Sequence, residues 1–306
     1  MIQITQASRW YGQVIGLNDV TCSIGTGITA LLGQNGAGKS TLIKLVTGQL
    51  RPTTGSISVL GQQPFANPPL FSKIGYCPET DSFYEGLTGR EFIELMARMG
   101  GLDTKVIPQK TAEALESVGM SDRADTKIAG FSKGMRQRIK LAQAIVHNPD
   151  ILILDEPLNG LDPVGRRHVG DLLSEFASKG KCILISSHIL HEVEQLTNSI
   201  VLLHRGRLMA QGDIQEIRSL IDRHPHRIRI EADNVREIGP LLLSFPSVLS
   251  IKFDRLNESF LELETHQPDS FYTSFAVVIK EKNIRLKSFY SPDNNLEAVF
   301  NYLVKG

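Results

Sequence analysis

Short, predominantly apolar runs alternate with longer amphipathic stretches over the first two thirds of the chain. The apolar runs are four or five residues long and occupy positions 28–32, 151–154, 182–186 and 200–203. The stretches with helical spacing include positions 90–99, 108–118 and 164–178. Continuous apolar runs are typical of strands buried on both faces, and intervening helices indicate parallel connections between them. The pattern therefore predicts an α/β fold built on a buried, largely parallel sheet.

The pattern changes after Gly212. A short helix is predicted over positions 213–221, a polar segment follows, and apolar residues then alternate with polar ones. Strands with one solvent-facing side are predicted at 228–232, 248–253, 260–263 and 284–290, with helices near 234–244, 268–281 and 294–304. This β-α-β-β-α-β-α order is the ferredoxin-like order plus one helix. We therefore predict two domains, 1–222 and 223–306, the second of them a small α+β domain.

A glycine-rich loop follows the first apolar run. Its residues are Gly33, Gln34, Asn35, Gly36, Ala37, Gly38, Lys39, Ser40 and Thr41. Glycines let the chain curl so that backbone N–H groups point at an anion, and a helix beginning near Lys39 adds its positive end. Lys39 would reach the β- and γ-phosphates, while the Ser40 hydroxyl would ligate Mg²⁺. The loop predicts one site for a nucleoside triphosphate with Mg²⁺.

Two acidic residues follow the apolar run at 151–154. In P-loop enzymes the first such acid holds Mg²⁺, and an adjacent carboxylate orients or deprotonates the attacking water. We assign these roles to Asp155 and Glu156. An apolar strand that ends in two acids is a weak pattern alone, and its pairing with the glycine-rich loop makes it informative.

The segment 131–138 completes a series of motifs whose order and spacing resemble the ATP-binding subunit of an ATP-binding cassette (ABC) transporter, over about residues 2–212. The resemblance implies a P-loop NTPase fold of the ABC ATPase type with a helical subdomain. It implies that two such subunits, a second copy of this chain or a homologous ATPase, clamp two ATP molecules between them. It also implies ATP hydrolysis that energises separate polytopic membrane permease subunits. The tail, around residues 295–300, resembles that of export-type subunits for drugs, polysaccharides or gliding-related cargo.

The resemblance implies roles for five further residues. Tyr11 would stack on adenine, as flat aromatic rings do in this family. Ser132 and Gly134 would face the γ-phosphate across the dimer interface from a helix N-terminus. Asp162 would touch the partner subunit, and His188 would contact the γ-phosphate.

The chain departs from the family pattern at three positions. Lys133 and Met135 stand where glycine and glutamine are commonest, which leaves backbone donation intact but removes a side-chain contact. Glu79 replaces a glutamine that couples Mg²⁺ to the membrane subunit, and its carboxylate oxygen can still ligate that ion. The segment 86–92 lies where the family docks its membrane partner.

Composition limits the classes of partner. Lys plus Arg equals Asp plus Glu at 33 each, so no overall charge favours nucleic acid. Cys22, Cys77 and Cys182 are widely spaced, which indicates buried, reduced thiols in a cytosolic protein and no zinc or disulfide role. The apolar runs fall short of the roughly 20 residues that span a bilayer, and the opening residues do not resemble a signal peptide. We expect a cytoplasmic protein held at the inner face of the cell membrane by its permease.

Two other function classes share these motifs. A non-transport ABC ATPase acting in DNA repair or on ribosomes would normally contain a long coiled coil or two cassettes in one chain, and neither pattern is present in the sequence. A scaffold that uses ATP only as a dimerisation switch would fit a slow site, as the departures at Glu79 and Lys133 suggest. Steady-state release of phosphate separates the scaffold from a transporter subunit.

Overall fold

The computed structural model describes residues 1–214, 216–217, 225–254, 258–282 and 284–292, apart from the side chains of residues 190 and 191. The chain divides into two compact units, Met1–Asp213 and Ile214–Gly306. The predicted boundary between residues 222 and 223 and the predicted helix at 294–304 lie outside the described residues. Most of the helix predicted over 213–221 also lies outside them, and Asp213 itself ends a strand.

The first unit is built around a six-stranded sheet. The unit has nine strands in two sheets. They are β1 (Ile2–Tyr11), β2 (Val14–Ile24), β3 (Gly27–Leu32), β4 (Thr54–Val59), β5 (Ile74–Cys77), β6 (Ile151–Asp155), β7 (Cys182–Ser187), β8 (Ser199–His204) and β9 (Arg207–Asp213). The six-stranded sheet has the order β5-β6-β7-β3-β8-β9, and all neighbours are parallel except β8 and β9. The predicted buried and largely parallel sheet is therefore confirmed.

A second, antiparallel sheet with the order β2-β1-β4 was missed by the sequence analysis. Ile2 and Ile4 are buried and alternate with exposed residues, which is the pattern of a strand with one wet face. The alternation then breaks, because the pairing of β1 with β2 shifts between Ile4 and Ala7. An irregularity of this kind re-aims the side chains that follow it and hides the strand from a search for strict alternation.

Some helices of the first unit pack on its strands, and others pack mainly on one another. The helices of the first unit are α1 (Lys39–Val46), α2 (Pro68–Phe71), α3 (Gly89–Met99), α4 (Ile107–Ser117), α5 (Lys133–Ile145), α6 (Pro163–Ser178) and α7 (Leu190–Glu194), with 3₁₀ turns at Ser121–Arg123 and Ile128–Gly130. Helices α3, α4 and α5 pack on one another, as expected for a helical subdomain. The predicted helices at 90–99, 108–118 and 164–178 correspond to α3, α4 and α6.

The two sheets and α1 share one hydrophobic core. Ile4 of β1, Leu42 of α1 and Ile153 of β6 are among its fully buried members. Burial of this kind contributes about 25 cal/mol for each Å² of apolar surface removed from water, so the core holds these elements firmly together. The carboxyl ends of β3, β6 and β7 consequently meet at one edge of the sheet, beside the N-terminus of α1.

The second unit has a core of its own. Its strands are β10 (His226–Ala232), β11 (Val248–Phe253), β12 (Phe260–Thr265) and β13 (Leu286–Tyr290), and its helices are α8 (Val235–Leu243) and α9 (Pro268–Lys282). The sheet is antiparallel in the order β11-β12-β10-β13, the arrangement of a ferredoxin-like domain. In neither unit does a described helix have the length and apolar character needed to cross a membrane.

Candidate nucleotide-binding site

A cleft of ≈ 400 Å³ lies at the carboxyl edge of the parallel sheet. Most of the glycine-rich loop lines it, together with acidic and aromatic side chains from four other parts of the chain. The lining residues from the predicted site are Gln34, Asn35, Gly36, Ala37, Gly38, Lys39, Ser40, Thr41, Tyr11, Glu79, Asp155, Glu156 and His188. The fold therefore brings thirteen of the predicted residues into one cavity, while Gly33, Ser132, Gly134 and Asp162 lie outside its lining.

The loop has the backbone conformation that its glycines permit. Gly36 and Gly38 have φ angles of 80° and 108°, a region that favours glycine. Gly38 precedes α1 without a side-chain cap, and the first turn of α1 carries no acidic residue. Unpaired N–H groups at a helix start attract anions. The N-terminus of α1 is thus available for a phosphate group.

Gly33 is needed for packing behind the loop. A Cβ atom at this position would lie 2.5 Å from the Leu203 carbonyl oxygen and 2.7 Å from the Ala37 Cβ. The Gly33 carbonyl oxygen accepts a hydrogen bond of 2.6 Å from the Lys39 ammonium. Lys39 is buried, so carbonyl groups of the loop satisfy its charge where phosphate oxygens would otherwise do so.

A buried hydroxyl joins the two acidic residues, and the sequence analysis missed it. Ser186 is fully buried on β7 and faces Asp155 across the parallel pair β6–β7. Its Oγ donates to the Asp155 carboxylate at 2.5 Å and accepts the Glu156 backbone N–H at 2.9 Å. The available signal was a polar residue directly after the apolar run Ile183 to Ile185, within the predicted strand. Its partners could not be read from that signal.

Glu156 is held in an unusual backbone conformation. Its φ of 51° falls in the left-handed region, which residues other than glycine adopt infrequently. Its carboxylate lies 2.9 Å from Nδ1 of His188, whose side chain is 45% exposed. Burial raises the pKa of Glu156, and the hydrogen bond from His188 opposes that rise. The arrangement places a carboxylate of raised pKa beside a titratable imidazole at the cleft.

The cleft has an excess of buried negative groups. Burial raises the pKa of Asp155, the Ser186 hydrogen bond opposes the rise, and the negative charge of Glu79 adds to it. Two buried carboxylates, Asp155 and Glu156, therefore face a single buried ammonium, that of Lys39. A hard cation bound among these oxygens would relieve the repulsion.

Tyr11 lies at the rim of the cleft. Its side chain is 41% exposed, and the Arg9 guanidinium lies 5.2 Å from the ring centroid. Its hydroxyl is 3.4 Å from Oγ1 of Thr41. The ring thus combines a flat apolar surface with access to the cavity, which is what stacking on a base requires.

The remaining three predicted residues lie at two other helix starts. Ser132 caps α5 by accepting the Met135 N–H at 3.3 Å, and Asp162 caps α6 by accepting the Gly165 N–H at 2.9 Å. Gly134 lies close to the loop before α6, because a Cβ there would be 3.2 Å from the Gly160 carbonyl oxygen. These three residues form one surface that is separate from the lining of the cleft.

The α5 helix also contacts both acidic segments. Gln137 is buried and donates to the Pro157 carbonyl at 2.9 Å, directly after Glu156. Lys140 is buried one turn later and donates to the Glu79 carbonyl at 2.8 Å. The sequence analysis assigned neither residue, because contacts between a helix and distant loops leave no local pattern.

Comparisons with known proteins agree with this geometry. A family model described as "ABC transporter" matches residues 17–159. The bacitracin transport ATP-binding protein BcrA of Enterococcus faecalis is 37% identical over 71% of this chain and 70% of its own length. A Nod factor export ATP-binding protein of Rhizobium johnstonii is 36% identical over 69% of this chain and 68% of its own length.

The chain spans less than two thirds of some curated relatives. An uncharacterised ABC transporter ATP-binding protein of Bacillus subtilis, YxlF, is 41% identical over 62% of each chain. Among solved structures, an ATP-binding subunit of an ABC transporter is 35% identical and superposes with a TM-score of 0.67, over 72% of this chain and 92% of that one. The family model's match includes the glycine-rich loop, Asp155 and Glu156, while Tyr11 and His188 lie outside it.

Proposed function

This chain belongs to the family of ABC transporter ATP-binding proteins, and we propose that it hydrolyses ATP in the cleft to energise transport through separate membrane subunits. The observation that carries the proposal is the convergence of the glycine-rich loop, Asp155, Glu156 and His188 on one cavity at the edge of the sheet. Each group has a position that suits one part of phosphoryl transfer to water.

The loop and α1 would bind the phosphates. The N–H groups at the start of α1 would surround the phosphate oxygens, and Lys39 would exchange its bond to the Gly33 carbonyl for bonds to the β- and γ-phosphates. Tyr11 would stack on the adenine at the rim of the cleft. Gln34, Asn35 and Ala37 would contribute backbone groups to the same cradle.

The donor set fits Mg²⁺. No group of three His, Cys, Asp or Glu residues in the described part of the chain is arranged to hold a metal by itself. Mg²⁺ typically uses one or two carboxylates and completes its shell with phosphate oxygens and water. Ser40, Asp155 and Glu79 would hold the ion, which would neutralise charge on the phosphates.

Glu156 would orient and deprotonate the attacking water. Its raised pKa makes it a better proton acceptor than an exposed carboxylate, and His188 fixes the direction of its side chain at 2.9 Å. His188, on the exposed side of that pair, would also contact the γ-phosphate.

Replacement of Glu156 by glutamine tests this assignment. Glu156→Gln keeps the shape of the side chain but cannot take a proton, so we expect steady-state phosphate release to fall by at least about 100-fold. ATP affinity, measured by equilibrium binding, should stay within about threefold of wild type. Glu175→Gln removes an exposed carboxylate paired only with Lys179, and serves as the matched control. A wild-type rate in Glu156→Gln would refute the assigned base.

We further propose that two ATP-binding subunits complete each other's site. Ser132, Gly134 and Asp162 lie at helix starts outside the cleft of their own chain, and the N-terminus of α5 carries no acidic residue in its first turn. This end of α5 would therefore suit a phosphate presented by a second copy or by a homologous ATPase. Sedimentation of Glu156→Gln should show a dimer with ATP and a monomer without it.

The membrane partner would be a polytopic permease that holds the chain at the inner face of the cell membrane. The named functions of the relatives, bacitracin transport and Nod factor export, support a transporter and favour export. The segment 86–92, which opens α3, would be part of the docking surface. We expect no nucleic-acid partner, because the net charge is zero.

The second unit would support the dimer. It packs around its own core, with Phe271 and Phe275 at the centre, and so could associate without disturbing the cassette. Removal of residues 223–306 should then raise the protein concentration needed for ATP-induced dimerisation. An unchanged concentration would instead favour a role in regulation.

A further inference from the structure

Lys140 is a buried cation that the proposed hydrolysis does not use. It lies on α5, and its side chain is only 4% exposed. In the described part of the chain, Lys39 is the other lysine classed as buried. Burial of an ammonium group is costly unless hydrogen bonds and a counter-charge compensate it. The contacts of Lys140 therefore indicate what its presence stabilises.

Both contacts of Lys140 are to the turn that carries Glu79. The ammonium donates to the Glu79 carbonyl oxygen at 2.8 Å and lies 3.1 Å from the Asp81 carboxylate. One helical turn earlier, Arg136 binds the Glu85 carboxylate through two hydrogen bonds of 2.6 and 2.8 Å. Positions four residues apart share a helix face, so the two cations of α5 hold one stretch of chain, 79–85.

The main chain at Glu79 determines where its carboxylate enters the cleft. Glu79 is one of the residues that line the cavity, and its charge adds to the rise in the pKa of Asp155, so the two acids interact. A hydrogen bond from a charged donor to a backbone carbonyl is stronger than a neutral one and limits movement of that peptide. The bond from Lys140 thus restrains the residue that adds negative charge to the cleft.

We propose that Lys140 is a positioning residue, which fixes the Glu79 carboxylate in the cleft and so sets how tightly the protein holds a divalent cation together with ATP. This inference rests on the proposed function, because it concerns the same nucleotide site. Lys140 acts through Glu79 and touches neither the nucleotide nor the ion.

A double-mutant cycle separates this role from simple support of α5. The four proteins are wild type, Lys140→Met, Glu79→Gln and the double variant. Binding of Mn²⁺ in the presence of a non-hydrolysable ATP analogue is measured from the electron paramagnetic resonance signal of free Mn²⁺. Mn²⁺ serves as the probe because it takes the same oxygen ligands as Mg²⁺. The readout requires no turnover.

We expect Lys140→Met to weaken Mn²⁺ binding by about fivefold in wild type and by less than about twofold in the Glu79→Gln background. Coupling between the two positions follows if Lys140 acts by placing the Glu79 carboxylate. An equal loss in both backgrounds, or no loss in either, would contradict the proposal. Lys140→Arg, which keeps a charged donor, should remain closer to wild type than Lys140→Met.

Two controls keep the result decisive. Lys179→Met removes an exposed lysine directly after α6 that pairs with Glu175 and lies over the Phe176 ring, and should leave Mn²⁺ binding unchanged. Lys140→Gln, whose side chain is one bond shorter and uncharged, replaces Lys140→Met in the cycle if the latter does not fold. Failure of wild type to bind the analogue with Mn²⁺ would refute the proposed function itself. Normal wild-type binding without coupling would refute only the role of Lys140.

Discussion

Replacement of Ser186 by alanine should disturb both acidic residues of the cleft at once. The Ser186 hydroxyl accepts the Glu156 N–H at 2.9 Å and donates to the Asp155 carboxylate at 2.5 Å, with no exposure to solvent. A neutral hydrogen bond contributes about 0.5–1.5 kcal/mol and one to a charged group about 1.5–3 kcal/mol. Loss of both predicts a fall in the free energy of unfolding of about 2–4.5 kcal/mol.

Differential scanning calorimetry of the ligand-free chain measures this effect. For a unit the size of Met1–Asp213, 1 kcal/mol corresponds to about 2–4 °C in the transition temperature. Ser186→Ala should therefore lower the transition temperature of the cassette by about 4–18 °C. The transition of the second unit, where it is resolved, should not move.

The neighbouring serine provides a matched control. Ser187 is also buried on β7, but its hydroxyl contacts only the Ile189 backbone. By the same reckoning its two neutral hydrogen bonds contribute about 1–3 kcal/mol, so Ser187→Ala should cost less than Ser186→Ala. Ser186→Ala should also raise the Mg²⁺ concentration needed for half-maximal ATPase activity, because loss of its hydrogen bond raises the pKa of Asp155 further and so weakens binding of the cation. Equal shifts in the two variants would refute the reasoning.

Three further predictions concern the same cleft. Asp155→Asn should stabilise the ligand-free chain in urea unfolding at pH 7, because burial raises the pKa of Asp155 above its ordinary 3.8. The stability of wild type falls as the pH rises from 3.8 through the raised pKa of Asp155, so the stability gained by Asp155→Asn should vanish at lower pH. Gly33→Ala should reduce both the transition temperature and ATP affinity, because its Cβ would lie 2.5 Å from the Leu203 carbonyl oxygen; an unaffected protein would contradict this packing. His188→Ala should move the acid limb of the ATPase pH profile to higher pH, because the hydrogen bond from His188 lowers the pKa of Glu156 and its loss raises that pKa. An acid limb that stays in place would show that Glu156 does not control it.

The features that could be predicted from sequence are those whose cause is local. The loop at 33–41 combines glycines, a strand before it and a helix after it within a few residues, so its conformation follows from nearest neighbours. The same is true of Asp155 and Glu156 at the end of an apolar run. Parallel strands bring their carboxyl ends to one edge, which is why these segments meet in the cleft.

The features that could not be predicted depend on contacts between distant segments. Ser186 is 30 residues from Glu156 in sequence, and Lys140 is 61 residues from Glu79. A hydroxyl or an ammonium in an apolar pattern signals a buried polar group but not its partner. The sheet β2-β1-β4 was missed for a different reason, because an irregular pairing near Ile4 interrupts the alternation.

Isolation of the tagged chain from gently solubilised native membranes, with Mg²⁺ and ATP present, tests the account most directly. ATPase activity alone is shared with ABC ATPases outside transport, whereas a stable membrane partner is not. Mass spectrometry of the material that co-purifies should identify a polytopic membrane protein in near one-to-one ratio with this chain. Recovery of the chain alone, or bound to ribosomes or DNA, would contradict the assignment to a transporter.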